Sequence, residues 1–232
     1  MKTLSKSRTL TEIAIVLAVM LGIKDIADRL ELIGAGSIAM WAGIGVATLF
    51  MRRHGISWKS LGLTLPTGWK SWLKSIGIAF ATVFAVLLFM ALIMPLLAQL
   101  LAVEVPADAA DRFKFLLGEP LKFLAYLVVV IWLGAAVGEE LLMRGFLLNY
   151  LSGLFGQSKK GWIIAVVIHA AIFGSLHIYQ GIHGVIGTAV IAVIFATVYL
   201  YGKRRLFPII VAHGIINSIG LTAYYLTDGK MN

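Results

Sequence analysis

Long apolar runs separated by short polar segments make up most of this chain. They lie at roughly 10–28, 34–52, 74–102, 121–148, 162–180, 185–201 and 208–226. Each approaches or exceeds the about 20 residues a helix needs to cross a hydrocarbon core. The pattern predicts an all-α fold, a polytopic transmembrane helical bundle of about seven spans. The third run, about 29 residues long, is too short to split into two crossings. It reads as a tilted or projecting helix, kinked near Pro95. Gly36, Gly43 and Gly45 in the second run suit close approach to a neighbouring helix.

Composition reinforces this picture. The chain is 60% apolar and 13% charged, with a mean hydropathy of +0.93. A soluble domain is nearer 45–50% apolar and about 25% charged. No second, soluble domain is visible, so 1–232 reads as a single transmembrane domain. The N-terminal run follows basic residues but lacks a convincing cleavage site, and it reads as a retained first helix. Cysteine is absent, which excludes disulfides and thiolate chemistry.

The net charge of +9 would suit nucleic acid if it formed one basic face, and it does not. Lys2, Lys6 and Arg8 precede the first run, and Arg52, Arg53, Lys59, Lys70 and Lys74 follow the second. Lys159, Lys160, Lys203, Arg204 and Arg205 occupy later loops. These belong on the cytoplasmic side. The segment around 103–120 is instead acidic, with Glu104, Asp108, Asp111 and Glu119 against Arg112 and Lys114. The alternation predicts a cytoplasmic N-terminus and an outer C-terminus. No nucleic acid partner is expected, only the lipid bilayer and whatever the site accepts. Trp58, Trp69 and Trp72 with the lysines of 55–75 fit the headgroup region, where part of this segment is expected to lie flat.

Ionisable residues inside apolar runs are the candidate chemistry, because a membrane tolerates them only when they are paired or face a cavity. Glu139, Glu140 and Arg144 lie in the fourth run, His177 at the end of the fifth, and His213 with Asn217 in the last. Adjacent glutamates on a helix point about 100° apart. Glu140 and Arg144, at i,i+4, share a face and suit an ion pair. Glu139 is then left for another role, and a carboxylate in an apolar pocket suits a general base. Phe173 and His177 are again i,i+4, as are His213 and Asn217. The latter pair can donate hydrogen bonds to a developing oxyanion. The plain structural alternative is a polar knot between helices. For His169 an interhelical hydrogen bond is the preferred reading, and His183 reads as a surface loop residue. Glu139, His177 and His213 would also make a divalent-metal set, although no HExxH is present. Depth poses one problem. Glu139 and His177 lie equally far from a hairpin centred near Ser158, whereas His213 is close to its own loop. Either the fourth and fifth spans project beyond the bilayer or part of 146–160 lies flat.

The three motifs GEELLMRG, FGSLH and HGIIN, taken together, resemble the signatures of the CAAX-protease and bacteriocin-processing (CPBP) family of intramembrane glutamic or metallo-proteases. The resemblance covers 121–226, a catalytic core of CAAX-protease-like spans. It leaves 1–120 as N-terminal spans and an interfacial segment, in which KSLGLTLP at 59–66 resembles a stretch that often precedes the core. It implies intramembrane peptide hydrolysis of a membrane-associated, in some members prenylated, substrate. By it, Glu139 and His177 activate water, and His213 and Asn217 stabilise the oxyanion. Glu140 and Arg144 hold the site, and Phe173 shapes the substrate pocket. No cofactor is required in that reading, and zinc on Glu139, His177 and His213 is the competing view. A bacteriocin self-immunity or scaffold protein of the same fold is the alternative function. A transporter would call for inverted repeats, which the chain does not display. Absence of organellar transit features suggests a prokaryotic plasma membrane.

Overall fold

The computed structural model describes residues 5–103 and 111–230. Lys2, Glu104 and Asp108, used above for orientation, lie outside them. The described residues form helices α1 (Lys6–Arg29), α2 (Ala35–Arg53), α3 (Trp69–Leu100) and α4 (Pro120–Leu154). They continue with α5 (Lys159–Ser175), α6 (Gly181–Tyr201) and α7 (Phe207–Leu226). No strand occurs among the described residues. All-helical structure is what a lipid environment demands, since each backbone donor must find its acceptor within the segment.

Five helical stretches are long and apolar enough to cross a membrane: Ala35–Arg53, Trp69–Leu100, Pro120–Leu154, Ile178–Tyr201 and Phe207–Leu226. The expected first and fifth spans are helices but do not meet that description. The 24 residues of α1 carry Arg8, Glu12, Lys24, Asp25, Asp28 and Arg29. The fifth helix has 17 residues, because it stops at Ser175 and the chain turns through Ile178–Gln180 before α6 begins. Gly181 takes a φ of +73° there, which glycine adopts without strain.

The long third helix is one piece. Immediately before Pro95 it widens to an i→i+5 pattern over Phe89–Ile93. Proline lacks the N–H of a regular turn and crowds the carbonyl four residues earlier. The wide turn accommodates both effects.

The fourth helix is the axis of the bundle. It packs against α2 and α7, and its last turns meet α5 and α1. Over Leu127–Leu147 it too is hydrogen-bonded i→i+5, for 21 residues. Nothing in its residue order explains why a pattern that usually lasts one turn persists so long. Glycines allow its close contact with α2, but they are mainly its own. A Cβ on Gly134 would fall 1.9 Å from Ser37 Oγ, and one on Gly138 would fall 3.0 Å from Met40 Cγ. Of the glycines expected to do this, only Gly43 meets a neighbour, Leu142 and Met20, while Gly36 and Gly45 face open space. At the interface-like end, Trp69 and Trp72 are exposed as expected. Trp58 is not, and its Nε1 donates to Thr48 Oγ1 at 2.9 Å.

Candidate active site

The polar residues of α4 are fixed by burial. Glu140 and Arg144 are fully buried, and Arg144 Nη1 donates to Glu140 Oε1 at 2.8 Å. Desolvation makes such a pair costly unless further partners satisfy it. Aromatic faces from two other helices offset part of this cost, while Glu140 Oε2, Arg144 Nε and Arg144 Nη2 have no hydrogen-bond partner among the described residues. The guanidinium carbon lies 4.8 Å from the Phe173 ring centre on α5 and 5.1 Å from that of Phe195 on α6, both within cation–π range. Phe195 was not singled out by sequence, since an aromatic in an apolar run gives no signal of its role. Phe173, expected as a pocket wall, holds the arginine as well.

The same Glu140 oxygen accepts from His213 Nδ1 of α7, at 2.8 Å. A carboxylate has no hydrogen to give, so the proton of that bond resides on Nδ1. In the neutral ring Nε2 is then a bare lone pair. It faces Glu139, whose Oε2 is 3.9 Å away. The Glu139 side chain is 20% exposed and makes no hydrogen bond to a described residue. Adjacent glutamates therefore have distinct environments, one sealed and paired, the other open to a small space beside an imidazole nitrogen.

His177 sits just past the end of α5, with φ −103° and ψ 17°. Its Nδ1 is 2.9 Å from the Phe173 carbonyl, an acceptor, so this ring also carries its proton on Nδ1 and presents Nε2 outward. Its ring is 4.7 Å from that of Phe173. Asn217, one turn beyond His213 on α7, is half-buried, and its carboxamide makes no hydrogen bond to a described residue. Contacts thus join Glu139, Glu140, Arg144, Phe173 and His213 directly. His177 joins through Phe173, and Asn217 shares only the helix. Among the described residues, no group of three or more His, Asp or Glu side chains is arranged to hold a metal ion.

Two further features surround this cluster. His169 is fully buried and stacks on Phe173 with ring centres 6.4 Å apart. Neither of its nitrogens has a partner among the described residues, so the expected interhelical hydrogen bond is not seen there. Trp132, seven residues before Glu139, lies on Gly214, where a Cβ would fall 2.6 Å from the indole. Beside it an open groove of about 390 Å³ runs along α7, lined by Trp132, Ile215, Ser218, Ile219, Thr222 and Ala223.

One contact bears on the depth problem. Asn149 of α4 is hydrogen-bonded to Tyr199 at the end of α6, so these two positions are level. The fourth helix remains helical to Leu154, so no part of 146–154 leaves it.

No curated protein and no solved structure matches the chain. A family model does, over residues 121–219, and it is described as Type II CAAX prenyl endopeptidase Rce1-like. The matched stretch starts at the head of α4 and ends two residues past Asn217, so it takes in all three polar motifs. Over residues 121–219 the chain is similar to the Rce1-like type II CAAX prenyl endopeptidases, a match consistent with the CAAX protease family of intramembrane proteases.

Proposed function

We propose that this chain is an intramembrane endopeptidase in which Glu139 is the general base for attack of water on a peptide carbonyl. The observation that carries the reading is the division between the two adjacent carboxylates. Glu140 is occupied by Arg144 and His213, whereas Glu139 is open and 3.9 Å from a bare imidazole nitrogen. A water hydrogen-bonded between Glu139 and a histidine Nε2 has its oxygen lone pairs available for attack. Glu139 takes the proton as the oxygen bonds to the carbonyl carbon, and His177 accepts the second hydrogen bond of that water. Asn217 Nδ2 donates to the resulting oxyanion. His213, held through Nδ1 by Glu140, turns its Nε2 toward the same space. Breakage of the C–N bond sends the Glu139 proton to the leaving amine, yielding a carboxylic acid and an amine.

The substrate in this reading is a membrane-associated peptide or protein. A lipidated one is favoured by the prenyl endopeptidase description of the matching family. The chain would act in a prokaryotic plasma membrane, with its N-terminus cytoplasmic and its C-terminus outside. The test is cleavage of plain and prenylated fluorogenic peptides by the detergent-purified protein after chelator treatment. Activity that survives chelation and falls by about 100-fold or more in Glu139→Gln supports the reading, a loss typical of removing a general base. Activity abolished by chelation and restored by zinc would instead make Glu139, His177 and His213 ligands. A wild type that cleaves neither peptide class would favour the self-immunity or scaffold alternative.

A further inference from the structure

The turn before α3 touches α4, α6 and the start of α7, three of the four helices that carry the site. Lys59–Leu61 form a short 3-10 turn. Just before it, Trp58 is bonded to Thr48 of α2, and its ring edge lies against Gly145 of α4, 3.2 Å from where a Cβ would sit. The Leu61 carbonyl accepts the Tyr199 hydroxyl of α6 at 2.9 Å. The Gly62 carbonyl accepts the Leu206 N–H at 3.0 Å, just ahead of α7. Gly62 has φ +100°, and a Cβ there would fall 1.8 Å from the Arg204 carbonyl oxygen. Only glycine permits that approach.

From Tyr199 the contacts run back to the site. Its single hydroxyl proton goes to Leu61, so it accepts from Asn149 Nδ2, at 2.9 Å. The same amide nitrogen is 2.9 Å from the carbonyls of both Arg144 and Gly145. Asn149 and Tyr199 are buried, which strengthens such bonds and makes their loss costly. The backbone of Arg144 is thereby tied to the 57–62 turn through two side chains. Its guanidinium in turn holds Glu140, and Glu140 holds His213.

We infer that Asn149 and Tyr199 are positioning residues for hydrolysis, and that the 57–62 turn sets the placement of Arg144 through them. The inference rests on the proteolytic reading for its kinetic consequence and on hydrogen bonding alone for its structural one. Tyr199→Phe removes the hydroxyl and preserves the ring. It is expected to lower kcat about two- to tenfold, the range of one neutral hydrogen bond, with KM unchanged. It also takes a buried donor from the Leu61 carbonyl, so the melting temperature falls, and His54→Ala, which breaks the remote pair with Glu12, is the control for destabilisation alone. Gly62→Ala displaces the turn and is expected to give the same signature. The double variant should be no worse than the worse single one, because both cut one chain of contacts. Wild-type kcat in Tyr199→Phe, a kcat loss matched by His54→Ala at the same fall in melting temperature, or effects that multiply would each overturn the inference. If Gly62→Ala does not fold, Tyr199→Phe decides. Hydrogen exchange separates this from failure of the proteolytic reading. Tyr199→Phe is expected to speed exchange of amides in 144–149 even if the wild type cleaves nothing, and unchanged exchange there would sink the inference.

Discussion

A buried charge and an open one respond differently to truncation. Arg144→Ala strands the Glu140 carboxylate in a sealed environment, and breaking a buried pair in this way costs about 3–5 kcal/mol. Glu139→Ala removes a group with no hydrogen bond to a described residue and 20% exposure, so the melting temperature should barely move while hydrolysis is lost. Thermal melting of both variants in detergent checks this contrast, and equal destabilisation would contradict it. His169 supplies the opposite case. It is buried with two unpartnered nitrogens, and an unsatisfied buried polar group costs about 1–3 kcal/mol. His169→Leu is therefore expected to raise the melting temperature, and a fall would mean that an ordered water satisfies the ring. The Glu140–Arg144 pair was readable from sequence because i,i+4 spacing decides it locally. The sharing of Glu140 with His213, which fixes the proton on Nδ1, depends on a residue 73 positions away. No local pattern encodes that.

Helix contacts translate into steric predictions. Gly134→Ala would place a methyl into Ser37, and overpacking of this kind costs about 1–3 kcal/mol. Gly36→Ala and Gly45→Ala meet open space, so they should be neutral or slightly stabilising, since alanine is the better helix former. Melting of the three variants side by side tests which glycines form the interface. Hydropathy located α2, α3, α4, α6 and α7 within a few residues because their apolar runs are long. In α1 the helix is where the run predicts it, although charges interrupt its apolar character, while the run carries α5 past its end at Ser175. Composition around Leu176 and His177 stays apolar while the backbone turns, so the chain's departure from the helix left no mark in the pattern. Both wide stretches, in α3 and α4, were also invisible, apart from the hint at Pro95. They are differences of hydrogen-bond partner and not of residue type.

Orientation belongs to the whole molecule. Because the chain contains no cysteine, single cysteines can be introduced without background. Lys59→Cys and Gln157→Cys are expected to react with an impermeant thiol reagent only after the cytoplasmic face is exposed, and Lys230→Cys in intact cells. Labelling of Gln157→Cys from outside would reverse the assignment. The doubled acceptance at Glu140 has a consequence for descent. Its oxygen is shared by two partners, so neither Glu140 nor Arg144 can be exchanged alone without leaving the other's charge stranded. Glu139 has no such tie. A lineage that abandoned hydrolysis while still using the bundle as a membrane platform would let Glu139 drift first and retain the pair, leaving a record of lost chemistry in a single position.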